Sequence, residues 1–213
     1  MTSDAPTPAP AQVVPAEPAA VLSFWFGTLD ADGRADDATA ARWFKKDPAF
    51  DQTLRERFGA LHEAIVNGQR EAWLETPQGA LAYIIVLDQF SRNMFRDGPG
   101  MFAADDQALA VAKAAIDQGW DRQLALAERT FLYMPLMHSE QLADQDRCVE
   151  LFASLRDELD GAARERVGQN HHYAVMHRDI VAQWGRFPHR NALLGRESTP
   201  EEIAFLKQPG SSF

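Results

Sequence analysis

The sequence predicts an all-α protein, and three observations carry the prediction. Apolar residues recur at i, i+3, i+4 and i+7 in segment after segment. Asp-Pro, Thr-Pro and isolated Gly residues punctuate those segments where helix ends are expected. No segment sustains the period-two alternation of a strand, so no sheet is expected.

Taken in order, residues 1–17 are Ala/Pro-rich, with neither a basic nor an apolar signal region. They read as a disordered or extended tail rather than a targeting peptide. A single helical domain is expected over residues 18–213. Ala19 to Phe26 is a short apolar helix stopped by Gly27. After a polar loop, Asp37 is placed to cap a second short helix carrying Trp43 and Phe44. Asp47-Pro48 is a strong helix start, and Phe50, Leu54, Phe58, Leu61 and Ile65 follow at helical spacing, with Gly68 ending the run. Thr76-Pro77 starts another helix, burying Leu81, Ile84, Ile85 and Leu87. Past a Gly/Pro turn at Gly98–Gly100, Ala104–Gln118 is helical and stops at Gly119. Leu124–Met134 follows, its end disturbed by Pro135. Ser139 is expected to cap a helix running to about Leu159. Ala162–Trp184 ends at Gly185, and Thr199-Pro200-Glu201-Glu202 is a capping box. Short loops between helices imply a bundle or a stack of antiparallel helical hairpins. One echo, Ala64-Ile65-x-x-Gly68 and Ala115-Ile116-x-x-Gly119, is too little to establish a repeat.

Composition narrows the function classes. The 213 residues are 46% hydrophobic and 24% charged, an ordinary globular balance. Mean hydropathy is -0.34. The longest apolar run, Ala80–Leu87, is cut off by Asp88, short of the ~18 residues a membrane helix needs. The formal net charge of -10 argues against general nucleic-acid binding. Arg far outnumbers Lys, which occurs only at Lys45, Lys46, Lys113 and Lys207. That bias fits either carboxylate and phosphate recognition or a GC-rich genome. Cys148, the one cysteine, excludes a disulfide framework and Cys-based metal sites, and its helical setting reads as a small buried hydrophobe. His-Glu-x-x-His, calcium-loop, Gly-x-Ser-x-Gly, dinucleotide and P-loop patterns are all absent. No cofactor and no metal site is expected, and the location is expected to be cytoplasmic. Homodimerisation stays open.

Three polar clusters interrupt the apolar pattern. In the first, Asp88, Arg92 and Arg96 share a helical face, with Gln89 and Asn93 beside them. They form either a surface ion-pair network or an arginine pair, oriented by Asp88, that grips an anion. In the second, His138 precedes Ser139, Glu140 and Gln141, either as capping chemistry or as a His138/Glu140 acid–base or metal pair. In the third, Arg186, His189, Arg190 and Asn191 crowd the turn after the last long helix. They either satisfy orphan carbonyls there or form a donor-rich functional loop. His171, His172 and His177 have no ligand spacing, and the Trp and Phe residues sit at core-like positions.

These stretches also carry a resemblance. Val21–Gly27, Trp43-Phe44, Asp47–Asp51, Leu87–Arg96, Met101–Asp105, Met134–Glu140, Gly185–Asn191, Gly195-Arg196 and Ser198–Glu202 together resemble a bacterial family of uncharacterised helical proteins, domain of unknown function 924. The resemblance implies a tetratricopeptide-like array of stacked helix pairs and no established activity. All three polar clusters fall on its signature stretches, which raises the expectation that they meet in one site. The leading expectation is a binding protein whose pocket holds an anionic small molecule or a peptide carboxylate. An enzyme using a His/Glu acid–base pair with arginine anchoring, and a structural role in which the clusters only hold the fold, are the alternatives.

Overall fold

A computed structural model describes residues 17–213; the expectation of an extended tail falls almost wholly outside the described residues. Ten helices are named here: α1 (Pro18–Phe26), α2 (Asp37–Trp43), α3 (Pro48–Val66), α4 (Pro77–Ile84), α5 (Ser91–Met94), α6 (Asp105–Asp117), α7 (Leu126–His138), α8 (Leu142–Asp157), α9 (Gly161–Trp184) and α10 (Pro200–Phe205). There is no strand among the described residues. The fold is all-α, as the periodicity predicts.

Most of the predicted starts are made by the residues expected. The Asp47 carboxylate accepts from the amides of Ala49 and Phe50 at 3.0 and 3.2 Å. Thr76 Oγ1 accepts from the Gly79 amide. Thr199 and Glu202 form the reciprocal capping box. α2 starts one residue earlier than expected, because Asp36 is the residue that caps it, accepting from the Thr39 amide at 2.8 Å. The Ala-Ile-x-x-Gly echo is a shared helix ending: Gly68 and Gly119 both adopt positive φ, +72° and +69°, where a side chain would be strained.

The core is organised around α4. Every residue from Gly79 to Ser91 is buried, and α4 packs against α1, α6 and α7 while the turn after it meets α3. From Gly79 onward a helix surrounded in this way has no solvent face, so its sequence there is apolar all round. It does not end at Ile84. It opens into a π-helical turn, Ile85–Phe90, and resumes as α5. The wider turn carries Asp88 and Gln89, polar side chains that burial obliges to find partners. Such turns recur at functional sites.

Two further expectations are corrected. Pro135 lies inside α7 rather than at its end, and the helix continues to His138. Proline removes one backbone donor, and the surrounding packing of Phe131, Leu132, Tyr133, Leu136 and Met137, all buried, holds the remaining turn. Ser139 closes α7 instead of capping α8, which starts after Gln141. Its hydroxyl accepts from the Gln141 amide and donates to Asp144. The buried Gln145 side chain donates to the carbonyls of Met137 and Ser139, both at 2.6 Å. This bonding fixes the corner that carries His138. Beyond it, α8 and α9 are joined by the short link 158–160 and pack together extensively, as a helical hairpin does. No helix among the described residues is long and apolar enough to cross a membrane.

Candidate functional site

The π-helical turn brings Asp88 to the C-terminal end of α7, fifty residues away in the chain. Asp88, 1% exposed, is the centre of the polar arrangement. His138 Nδ1 donates to its Oδ1 at 2.7 Å, Arg92 Nη1 lies 3.0 Å from the same oxygen, and the Gln89 amide donates to Oδ2 at 2.5 Å. Burial alone would push the Asp88 carboxyl up, but the Arg92 guanidinium and His138 overcome this and hold it below the usual carboxylate range. Arg92 also grips Asp105 with two parallel bonds of 2.9 and 3.1 Å, the fork geometry that distinguishes arginine from lysine.

Arg190 stands on the other side of Asp105. Its side chain lies between the rings of Phe102 and Phe187, at 4.7 and 4.5 Å from their centroids. It is 6% exposed. Among the described residues its side chain makes one hydrogen bond, a long one from Nη1 to Asp105 Oδ2 at 3.4 Å, and its Nε is buried without a partner there. A guanidinium offers five donors, and Asp105 is already committed to Arg92. Burial first, and the Arg92 charge second, pull Arg190 down to about 10. The arginine is therefore held in place with its charge incompletely matched.

Arg92, His138 and Arg190 face a cavity of about 880 Å³. Gln89, Arg92, Asn93, Arg96, His138, His177, His189 and Arg190 line its polar side, and Trp43, Phe44, Phe131, Met134, Met137 and Phe152 its apolar side. A second cavity of about 270 Å³, bordered by Asp105, Ser139, Glu140 and Gln141, lies behind. His138, Arg190 and Phe102 border both cavities and form the partition. Burial is the first cause that holds the histidines neutral: His177 is pulled down to about 3 and His189 to about 4, the latter helped by Arg190. His138 is lowered by burial and by Arg92, against the pull of Asp88. The Nδ1–H of His138 is committed to Asp88, and its Nε2 makes no hydrogen bond among the described residues.

A family described as a bacterial protein of unknown function, DUF924, matches residues 21–210. The chain belongs to the DUF924 family. A solved structure described as a protein of unknown function, ATU0120 from Agrobacterium tumefaciens, superposes with a TM-score of 0.73 at 37% identity, covering 89% of this chain and 96% of that one. No curated protein matches.

In this DUF924 protein the three predicted clusters converge only in part. Gln89, Arg92, Asn93, Arg96, His138, His189 and Arg190 line the larger cavity, and Asp88 reaches it only through His138 and Arg92. Arg96 lies past the end of α5 and pairs with Asp51 at 2.7 and 2.9 Å, so it does not extend the Asp88–Arg92 row. Glu140 is not the partner of His138. It accepts two bonds from Arg196, at 2.6 and 2.9 Å, and one from the Phe187 amide at 2.7 Å, because α7 ends between the two residues and turns Glu140 away. Arg186 binds Glu202 at 2.7 and 2.8 Å, and Asn191 bonds Ser198, Glu202 and Arg196. Together Glu140, Arg186, Asn191, Arg196 and Glu202 form a paired knot that holds the segment after α9 against the α7–α8 corner. Gln141 is exposed, at the edge of the smaller cavity.

Sequence reasoning missed Asp105, His177 and the aromatic partition. His177 was legible in one respect: on α9 it continues the buried positions Val167, Ala174 and Val181, which puts a histidine on a core-facing stripe. Cys148 is buried, donates weakly to the Tyr133 carbonyl and has its thiol pushed up by burial; it faces no catalytic partner. Among the described residues, no group of three or more His, Cys, Asp or Glu side chains is arranged to hold a metal ion.

Proposed function

We propose that the larger cavity binds an anionic small molecule with an apolar body, its carboxylate or phosphate directed at Arg190 and His138. The observation that carries this reading is Arg190, buried at the cavity with a single long hydrogen bond and an unpartnered Nε. A buried charge left short of partners is costly, and an arriving anion would relieve that cost through charge-assisted bonds. The rest of the wall is aromatic and Met-rich, and the volume lies in the range of roughly 300–1,000 Å³ typical of small-molecule sites. This favours a compact acid over an extended peptide. Arg92 and Asp105 position Arg190, and Asp88 fixes the ring of His138.

The test is a thermal-shift screen of carboxylates and phosphate esters on the wild type, Arg190→Met and Arg186→Met. A ligand at ~100 times its dissociation constant stabilises the fold by roughly 2.7 kcal/mol. The shift should disappear in Arg190→Met and survive in Arg186→Met, since Arg186 is tied to Glu202 away from the cavity. Equal shifts in all three proteins would defeat the reading.

A second reading rests on Asp88 and His138. A carboxylate 2.7 Å from Nδ1, with Nε2 left unbonded, is the arrangement of an oriented general base. In ester hydrolysis, water would pass its proton to Nε2 and its oxygen to the carbonyl carbon. The proton would then leave on the departing alcohol, with Arg190 holding the acid product. Hydrolysis of short aryl esters by the wild type, abolished in His138→Gln, would support this; identical rates in both would remove it.

A further inference from the structure

Phe213 is packed in a way the anion site does not require. Its ring stacks face to face on His177, with centroids 3.6 Å apart and planes 16° from parallel, and its centroid lies 6.2 Å from that of His189 in an edge-on arrangement. The residue is nonetheless 49% exposed, and it lines the larger cavity together with Ser212. The segment reaches this position after Gly210, at φ +77°, tethered by the Ser211 hydroxyl to the Leu206 carbonyl.

The surface beneath Phe213 is prepared independently of it. His177 Nδ1 donates to the Tyr173 carbonyl at 2.8 Å, which fixes the ring plane, and Phe187 packs edge-on against the same ring at 5.6 Å. A flat, rigid face is therefore presented on the cavity side, where Phe213 covers it; it is the kind of surface on which offset and stacked aromatic pairs form. His138, which borders the anion position, is 6.5 Å from His177 between ring centroids. That is a spacing a single small molecule spans. A half-exposed residue forfeits less burial on leaving than a core phenylalanine would, and a competing ring regains the stacking it gives up.

We propose that the face of His177 is an aromatic subsite of the cavity, filled here by Phe213, which takes the planar ring of an aromatic acid whose anionic group sits at Arg190. The inference rests on the anion-site reading for the placement of the acidic group, and it adds both the ligand's chemical class and the chain's own side chain as competitor.

The experiment compares 4-fluorophenylacetate with acetate on the wild type, Phe213→Ala and Phe213→Trp by fluorine NMR and calorimetry. Phe213→Ala should bind 4-fluorophenylacetate about tenfold more tightly than the wild type, with an upfield ring-current shift of the fluorine signal. Acetate affinity should not change. Phe213→Trp, which fills the slot more fully, should bind the aromatic acid more weakly. Equal or weaker binding of 4-fluorophenylacetate by Phe213→Ala, or no binding at all, would overturn the subsite. The Arg190→Met/Phe213→Ala double variant separates the two claims. Loss of both acids sustains the anion site. Retained ring binding with an unmoved acetate affinity removes the anion site and leaves the subsite standing.

Discussion

Acidification from about pH 7.5 to about pH 5 should cost this protein about 4 kcal/mol of stability through two side chains, His177 and His189. Burial holds them neutral, down to about 3 and about 4 respectively. In the unfolded chain both return to the ordinary histidine value of about 6.5. The unfolded state therefore binds more protons between those values, so the contribution is complete above about pH 6.5 and is lost as the pH falls. From about 6.5 to 5 is about 1.5 pH units at about 1.4 kcal/mol each, or about 2 kcal/mol per ring. His62 and His138 are also lowered chiefly by burial, and they act in the same direction. The depressed carboxylates Asp88 and Glu140 do not interfere, since their contribution is present above about pH 4 and is lost only below it. Urea unfolding followed by tryptophan fluorescence, at both pH values, measures the loss. The His177→Gln/His189→Gln variant should recover about 4 kcal/mol of the pH dependence. A double variant that loses as much as the wild type on acidification would mean that burial does not hold these two rings neutral.

Two stability predictions test the frame around the site. Glu202→Gln removes the countercharge of Arg186 and turns one of its two acceptors into a donor facing that guanidinium, and should cost about 2 kcal/mol in denaturant unfolding while leaving ligand shifts at Arg190 unchanged. A change in those shifts would mean that the knot belongs to the site. Gly79→Ala places a methyl group 2.0 Å from the Trp73 carbonyl oxygen, a backbone atom with no freedom to yield, and should cost at least about 2 kcal/mol. A wild-type midpoint for that variant would show that the close approach at the start of α4 does not exist.

What was legible in the sequence was chemistry that acts within one turn of helix. Asp47-Pro48, Thr76-Pro77 and the Thr199–Glu202 box start helices through bonds to amides two or three residues on, and the positive-φ glycines stop them. The π-helical turn was not legible, because residues 79–91 are buried on every side and their apolar pattern has no phase to betray a change of register. The same distinction divides the site. Asp88, Arg92, His138, His189 and Arg190 could be found because they interrupt apolar or turn-forming stretches. Their partners could not, since the deciding pairs, Asp88 with His138 and Glu140 with Arg196, are separated by 50 and 56 residues. Sequence proximity instead suggested His138 with Glu140, which the end of α7 between them prevents. Arg186 was misplaced for a related reason: four residues before Arg190, it belongs to a different bonding system once Glu202 folds back onto it.

The most direct test of the anion site is the Arg190 Nε–H resonance in a proton–nitrogen correlation spectrum, assigned by its disappearance in Arg190→Lys and followed while phenylacetate is titrated in. Binding at Arg190 should shift that signal saturably, together with the His138 ring signals, and leave the Arg186 resonance unmoved. A stationary Arg190 signal, while other resonances report binding elsewhere, would contradict it.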